Sequence, residues 1–236
     1  MKNSILLVST AREKSSRCSK KMIKKFHNTT LFDIHAEKLE ILNKCNHNLF
    51  NDIILAIGKS DNAIWDKAKS YNIKIQERDK FSITNADKES DIHNYLRNYK
   101  QKYVFWLNSS SPFLETDTIL NILKYFKINR HESLLPIIKE YNWFWKQKSG
   151  YPINISNNQL THTQDSQPIY KAIHSFHIFN REYMLENDAF WDFTQDNPYF
   201  YEVKDSIEFL DVDTKMDFKI CESIYRSRYE KTDNSC

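Results

Sequence analysis

The sequence predicts an α/β fold with a mostly parallel sheet and right-handed crossover connections. Short continuous apolar runs recur along the first part of the chain, as expected of strands buried on both faces. Stretches of helical length lie between them. The 236 residues suffice for one large domain with a complete core, or for two small domains. Because no repeat, low-complexity linker or convincing boundary divides the chain, we predict a single domain over residues 1–236.

The apolar runs place the strands in order along the chain. The first strand covers residues 5–9, and the following strands are predicted at 52–58, 72–75, 103–107, 132–138 and 175–179. The tail from 206 to 228 is predicted to hold a strand, a short acidic turn and a closing helix.

Helices are predicted between these strands. Residues 31–45 have apolar side chains at helical spacing, and Asp61 is placed to cap a helix over 62–71. A polar helix is predicted at 88–100, and residues 108–126 open with turn residues before they become amphipathic. The pattern then breaks at about residue 140. The aromatic, turn-rich stretch over about 140–175 predicts an excursion away from the sheet.

Composition argues against several classes of protein. Thirty-four Lys and Arg face thirty-one Asp and Glu, a net charge of +3 that lacks the basic excess of a nucleic-acid binder. The sequence has no run of eighteen apolar residues, so no membrane span is predicted. The apolar run near the N-terminus is too short for a signal peptide. The four cysteines form no C-x-x-C pair. They indicate reduced thiols and a cytoplasmic protein.

A basic loop directly follows the first strand. Seven basic side chains lie between Arg12 and Lys25, where Glu13 is the only acid. In open α/β sheets, ligands bind beyond the carboxyl ends of the strands, which is where this loop should lie. Arg and Lys suit phosphate oxygens, so the loop could hold a triphosphate. The residues themselves leave three interpretations open: a solvated basic face, a nucleic-acid patch, and a pocket for a small polyanion.

Paired carboxylates near the end of the chain are a second candidate feature. Asp211 and Asp213 alternate on extended backbone, so both can face the same way. Two carboxylates together with substrate phosphates suit magnesium. The competing interpretation is that Asp213 or Thr214 caps the helix that starts near Lys215. A nearby H-x-x-H, His174 and His177, is not predicted to share a metal ion, because residues three apart on a strand point to opposite faces.

The order of these segments resembles the acylneuraminate cytidylyltransferase family, whose best-known members are CMP-sialic acid synthetases. The sequence resembles a divergent member of this family, and the resemblance covers roughly residues 4–225. The family pattern A-R-x-x-S-K-[GR]-x-x-x-K-N corresponds to "AREKSSRCSKKM" (11–22). Its L-Q-P-T-S-P-L corresponds to "LNSSSPF" (107–113), and its S-I-D-I-D-T-x-x-D-F is similar to "SIEFLDVDTKMDF" (206–218).

The resemblance implies a Rossmann-like nucleotidyltransferase fold with a small excursion, about residues 140–175, that exchanges across a homodimer. It implies a cytidylyltransferase that joins CMP from CTP to an acidic sugar, such as sialic acid or a relative, and releases pyrophosphate. Magnesium is the implied cofactor, held by Asp211 and Asp213. No nucleic acid or membrane partner is implied.

Site residues follow from the matching positions. The implied nucleotide-binding residues are Arg12, Ser15, Arg17, Lys21, Arg78 and Asn108. The implied acceptor-binding residues are Asn108, Lys146, Tyr170, Lys171 and His174. The implied catalytic residues are Arg12, Lys21, Asp211 and Asp213.

This sequence also departs from the family pattern. Glu13 and Lys14 stand where glycines often follow the first Arg, Ser16 replaces a Lys, and Met22 replaces an Asn. Three alternatives therefore remain beside the main hypothesis. The first is a cytidylyltransferase for another acceptor, either a different acidic sugar or a hydroxyphosphonate. The second is a degenerate member that binds nucleotide without catalysis. The third is a nucleic-acid module that uses the basic loop.

Overall fold

The structure, a computed structural model, describes residues 4–45, 49–84, 87–147, 150, 152–155 and 162–233. Its strands are β1 Ile5–Ala11, β2 Lys25–Phe26, β3 Thr29–Thr30, β4 Asp52–Gly58, β5 Lys74–Arg78, β6 Tyr103–Asn108, β7 Leu135–Glu140, β8 Ile169–Ala172, β9 Phe176–Asn180 and β10 Phe200–Glu202. Its helices are α1 Leu31–Lys44, α2 Asn62–Ala68, α3 Lys80–Thr84, α4 Glu89–Ile92, α5 Thr116–Asn129, α6 Arg181–Asn187 and α7 Lys215–Asp233. Short 3₁₀ turns cover Asn94–Asn98 and Thr163–Asp165.

The central sheet has five strands in the order β5-β4-β1-β6-β9. The first four are parallel, and β9 pairs antiparallel with β6. Strand β1 lies in the middle, where Ser9 is in register with Leu55 of β4 and Leu107 of β6. The predicted α/β fold with a mostly parallel sheet is confirmed.

The two faces of β1 explain its unbroken apolar sequence. Ile5 and Leu7 pack into the core formed with α1, α5 and α7, whereas Leu6 and Val8 pack into a second core on the opposite face. All four side chains are fully buried. A strand covered on both faces has no polar alternation, which is why the sequence shows a continuous run.

A second sheet is formed by the excursion and the late chain. Strands β10, β7 and β8 pair in that order, with β10 parallel and β8 antiparallel to β7. The stretch at about 140–175, which is predicted as an excursion, contains β8, and part of it lies outside the described residues. Its role as a dimerisation excursion stays a prediction. The single-domain assignment stays a prediction.

Two local predictions were wrong. The tail has no strand at 206–210: Ile207 donates to Asp205 in a turn, and the carbonyl of Phe209 accepts from the hydroxyl of Ser175. These local bonds replace the ladder of a strand. The helix predicted at 88–100 breaks after Ile92 into α4 and a 3₁₀ turn, because the carbonyl of Ile92 accepts from Arg78. None of the described helices is long and apolar enough to cross a membrane.

One edge of the central sheet gathers the chemistry-bearing loops. The parallel strands β1, β4, β5 and β6 all end at this edge, and the antiparallel β9 begins there. The segment before α7 joins them, since the N–H of Val212 donates to the carbonyl of Ser110 at 2.9 Å. Residues far apart in sequence are therefore neighbours at this edge.

Candidate active site

A cavity of about 710 Å³ opens at the carboxyl edge of the central sheet. Most of the residues that the sequence indicates for nucleotide and metal line it. These are Arg12, Ser15, Arg17, Lys21, Arg78, Asn108, His174, Asp211 and Asp213. The site is thus assembled from the loop after β1, the end of β5, the end of β6, the start of β9 and the segment before α7.

The basic loop meets the paired carboxylates at the cavity. Arg17 binds Asp213 with both terminal nitrogens at 3.0 Å. The Nζ of Lys21 lies 3.5 Å from the same carboxylate and also donates to the carbonyl of Val212. Burial lowers the pKa of Lys21, and the charges of Asp213 and Asp211 oppose that effect. In contrast, the guanidinium of Arg12 has no hydrogen bond or ion pair among the described residues and is exposed.

The two carboxylates face the cavity because the residue between them is buried. Val212 has no exposed surface, and its neighbours Asp211 and Asp213 are half-buried on the cavity wall. Burial and the nearby charge of Asp213 raise the pKa of Asp211. The amide of Asn108 lies 3.5 Å from Asp211 and donates to the carbonyl of His174 at 3.0 Å.

Helix capping is a separate function in this segment. Thr214 and Asp217 bond each other's backbone: Oδ2 of Asp217 accepts from the N–H of Thr214 at 2.7 Å, and Oγ1 of Thr214 accepts from the N–H of Asp217 at 3.2 Å. This is a capping box at the start of α7. Thr214 therefore caps the helix, and the carboxylates of Asp211 and Asp213 are left to face the cavity.

The residues present fit a magnesium ion bound together with phosphate. Asp211 and Asp213 supply two carboxylates of like charge, whose repulsion is part of the raised pKa of Asp211. A divalent cation relieves such repulsion, and Mg²⁺ takes one or two carboxylates plus substrate phosphates. Among the described residues no three His, Cys, Asp or Glu side chains gather into a metal site complete by itself. The pair thus suits a cation that arrives with the nucleotide.

Arg78 has a structural contact as well as a place on the cavity wall. Its Nη2 donates to the carbonyls of Ser82 at 2.9 Å and of Ile92 at 3.2 Å, so it holds α3 and α4 beside the cavity. Its Nε is buried and has no hydrogen-bond partner among the described residues, and burial lowers the pKa of the guanidinium. Arg78 therefore places positive charge beside the cavity while its Nη2 holds the neighbouring helices.

The side chain that caps α2 is that of Glu13 and not that of Asp61. Asp61 was expected to cap α2, yet its side chain makes no cap bond. Its Oδ1 accepts from the N–H of Glu13 at 3.1 Å, and Oε1 of Glu13 accepts from the N–H of Ala63 in the first turn of α2 at 2.6 Å. The cap of α2 thus comes from the loop after β1, 50 residues earlier.

The prediction that His174 and His177 point apart was wrong. Nδ1 of His174 lies 3.1 Å from Nε2 of His177. Strand β9 begins only at Phe176, so His174 precedes the strand and the alternation rule does not apply to it. His177 is buried, and this burial lowers its pKa to about 3.

An aromatic wall at the cavity was missed by the sequence analysis. Trp106, Phe190 and Trp191 line the cavity beside His177, whose ring lies 5.1 to 5.8 Å from theirs. Trp106 lies on a strand that the sequence indicates only as buried. Phe190 and Trp191 lie in a stretch to which the sequence analysis assigned no motif. Their aromatic side chains were the one feature that could have indicated this wall.

Three predicted acceptor residues lie away from this cavity in the same chain. Lys146, Tyr170 and Lys171 belong to the excursion and do not line the cavity. Tyr170 is half-exposed and packs edge-on against Phe200 at 5.7 Å, while Lys171 pairs with Glu140 at 2.8 Å. Their role toward an acceptor stays a prediction.

Several solved structures share the architecture of this chain. A CMP:2-keto-3-deoxy-manno-octonic acid synthetase complexed with CTP has a TM-score of 0.67 at 9% identity, covering 96% of this chain and 100% of its own. A 4-diphosphocytidyl-2C-methyl-D-erythritol synthase from Anaerococcus prevotii has a TM-score of 0.63 at 11% identity, with 96% and 100% covered. This chain has their fold. A cytidylyltransferase from Leptospira borgpetersenii has a TM-score of 0.58 at 15% identity, with 97% of this chain and 88% of its own covered.

The similarity between this chain and these solved structures is a similarity of fold. No protein-family model matches the sequence, and no curated protein matches it either. The predicted Rossmann-like nucleotidyltransferase fold is confirmed by the solved structures. What the cavity binds is inferred below from its own residues.

Proposed function

We propose that this protein is a CTP-dependent cytidylyltransferase that uses magnesium. The observation that carries the proposal is the meeting of Arg17 and Lys21 from the first loop with Asp213 from the last segment, on the wall of one cavity. Cations for phosphates and carboxylates for Mg²⁺ are thereby within reach of the same ligand. The structural neighbours that bind or transfer cytidine nucleotides support this proposal.

The reaction is an in-line displacement at the α-phosphorus of CTP. An acceptor hydroxyl oxygen forms the new bond to phosphorus, the bond from phosphorus to the bridging oxygen breaks, and pyrophosphate leaves with that electron pair. The hydroxyl proton is lost to solvent. Positioning and charge neutralisation provide most of the rate enhancement in such chemistry.

Each cavity residue has a place in this scheme. Arg12, Arg17 and Lys21 hold the triphosphate, and Arg78 adds positive charge to the same wall. Asn108 orients Asp211. Asp211 and Asp213 would hold Mg²⁺, which neutralises charge on the phosphates when it is bound. Arg17 and Lys21 can exchange Asp213 for phosphate oxygens, since all of these partners are anionic.

The proposed acceptor is a small acidic sugar. Its binding residues come from two places: Asn108 and His174 at the cavity, and Lys146, Tyr170 and Lys171 in the excursion of the other protomer of a homodimer. The exposed Tyr170 and Phe200 support such a dimer, because they form an apolar contact at the surface of the second sheet.

A second candidate is a cytidylyltransferase for a different acceptor, such as another acidic sugar or a hydroxyphosphonate. The aromatic wall of Trp106, His177, Phe190 and Trp191 favours it. This wall supplies no positive side chain at neutral pH, since burial keeps His177 uncharged. An acceptor carboxylate would therefore need a cation from outside this wall.

The first test is thermal stabilisation by CTP, UTP, ATP and GTP, each with and without Mg²⁺. A ligand that binds only the native state raises stability by RT ln(1 + [L]/Kd). We expect a shift that is selective for CTP, larger with Mg²⁺ and lost in Arg12→Ala. Pyrophosphate release with a panel of acidic sugars and hydroxyphosphonates then identifies the acceptor. The absence of a shift with any nucleotide would refute the proposal, and a CTP shift without pyrophosphate release from any acceptor would favour a binding-only protein.

A further inference from the structure

The loop after β1 holds phosphate-binding side chains without any glycine. Glycine usually allows a loop to approach phosphate closely, yet residues 10–22 contain none. Another device must fix the backbone of this loop next to the cavity. The contacts of Glu13 supply one.

Glu13 joins the loop to α2 through two hydrogen bonds that run in opposite directions. Its backbone N–H donates to Oδ1 of Asp61 at 3.1 Å, and its side-chain Oε1 accepts from the N–H of Ala63 at 2.6 Å. A residue held by both its backbone and its side chain has few remaining degrees of freedom. These bonds constrain the backbone next to Arg12 and so place Arg12 beside the cavity, although its guanidinium has no partner of its own among the described residues.

Asp61, which accepts from the backbone of Glu13, is itself buried and hydrogen-bonded to the end of β4. Asp61 is only 5% exposed, and its own N–H donates to the carbonyl of Gly58 at 3.0 Å. Gly58 leaves room for the carboxylate, because a Cβ there would lie 2.5 Å from Oδ2 of Asp61. The end of β4 therefore holds Asp61, which in turn holds the backbone of Glu13.

We propose that Glu13 is the positioning residue of the phosphate-binding loop, acting through Asp61 and Ala63 to hold Arg12 at the cavity. This inference rests on the proposed function, since it assigns Glu13 a part in binding the triphosphate. The carboxylate does not contact phosphate itself; it is bonded to the first turn of α2. The carboxylate holds the loop in its binding conformation before the ligand arrives, and this preorganisation lowers the entropic cost of binding.

The test compares ligand affinity with stability in variants of the full chain. Affinities for CTP with Mg²⁺ and for inorganic pyrophosphate are measured by calorimetry, and thermal unfolding is followed without ligand. We expect Glu13→Ala to bind both probes about tenfold or more weakly, a factor that corresponds to a modest loss of binding free energy. Glu13→Gln should retain near-native affinity, because its amide oxygen can still accept from Ala63. Glu37→Ala, which removes an exposed carboxylate of α1, is the matched control and should bind as the wild type does.

Glu13→Asp provides a second test if Glu13→Ala fails to fold. It keeps the charge but is one methylene too short to reach Ala63, so its affinity should fall as in Glu13→Ala. Wild-type affinity in a folded Glu13→Ala or Glu13→Asp would overturn the positioning role, as would a Glu13→Gln protein that binds as weakly as Glu13→Ala. A wild-type protein that binds neither probe would overturn the proposed function instead.

Discussion

Arg17 binds Asp213 with both ends of its guanidinium, at 3.0 Å for each nitrogen–oxygen pair, across 196 positions of sequence. The contact joins the first loop of the chain to the segment before the last helix. Both side chains are partly in solvent, with 63% of Arg17 and 37% of Asp213 exposed. Exposed ion pairs of this kind contribute about 0–1 kcal/mol to stability. We therefore expect the pair to matter for ligand binding, through its charged groups at the cavity, more than for stability.

Arg17→Ala should separate stability from ligand binding. We expect its free energy of unfolding to stay within about 1 kcal/mol of the wild type, because the pair is exposed. Its affinity for CTP should fall, since one phosphate-binding cation is lost. Urea unfolding and calorimetry measure the two quantities. Lys139→Ala, which removes a cation paired with Glu202 in the second sheet, is the control and should bind CTP normally. An Arg17→Ala protein with wild-type CTP affinity would contradict the role.

Asp211→Asn should remove the magnesium dependence of CTP binding. The variant loses a proposed metal ligand and also relieves the repulsion from Asp213, so its stability without ligand should not decrease. Thermal shifts with CTP, with and without Mg²⁺, measure the effect. Thr214→Ala is the comparison: it loses one bond of the cap of α7, at about 1 kcal/mol of stability, but keeps the metal dependence. Full magnesium dependence in Asp211→Asn would show that the ion binds elsewhere.

The sequence predicted the central sheet well and the site contacts only in part. Strands such as β1 are buried on both faces, so their apolar runs are local signals that need no partner. Arg12, Lys21, Asp211 and Asp213 were predicted from residue types and from the family resemblance; the structure places all four on one cavity wall, and their roles stay predictions. The partners of Glu13 were not predicted, since the cap of α2 depends on a residue 50 positions away. Alternation along a strand also failed for His174, which lies just before β9.

Acid should destabilise the protein through its buried histidines. Burial lowers the pKa of His35, His93 and His177 to about 3. The unfolded chain, with histidine pKa values near 6.5, binds protons first as the pH falls. Stability is therefore complete above about pH 6.5 and decreases toward pH 3, by up to about 1.4 kcal/mol per pH unit for each histidine.

Urea unfolding between pH 7.5 and pH 4.5 measures this slope. His35→Gln should flatten it by about one proton, since the buried His35 accounts for one group. Asn72→Gln, an exposed change that involves no titratable group, should leave the slope unchanged. Equal slopes in the wild type and His35→Gln would mean that His35 is not kept neutral by its burial.

Tyr170→Asp should dissociate the proposed homodimer. A charge at this half-exposed position, in contact with Phe200, would have to be buried without a partner in an interface formed by the second sheet. Light scattering after gel filtration should give the mass of two chains for the wild type and of one chain for the variant. Ile128→Asp changes a more apolar and more exposed residue of α5 and should remain dimeric. A monomeric wild type would refute the dimer directly.

Gly58→Ala should disturb both stability and the phosphate-binding loop. A Cβ at Gly58 would lie 2.5 Å from Oδ2 of Asp61 and 2.6 Å from Cδ1 of Ile83, so both side chains must move. Overpacking of this kind costs about 1–3 kcal/mol. Displacement of Asp61 should also weaken CTP binding, because Asp61 holds the backbone of Glu13. Gly150→Ala is the matched control, since its Cβ meets no atom of the described residues within 4 Å, and it should be neutral or slightly stabilising. Chemical denaturation and CTP calorimetry on the two variants test both effects, and a Gly58→Ala protein as stable as Gly150→Ala would show that the end of β4 adjusts freely.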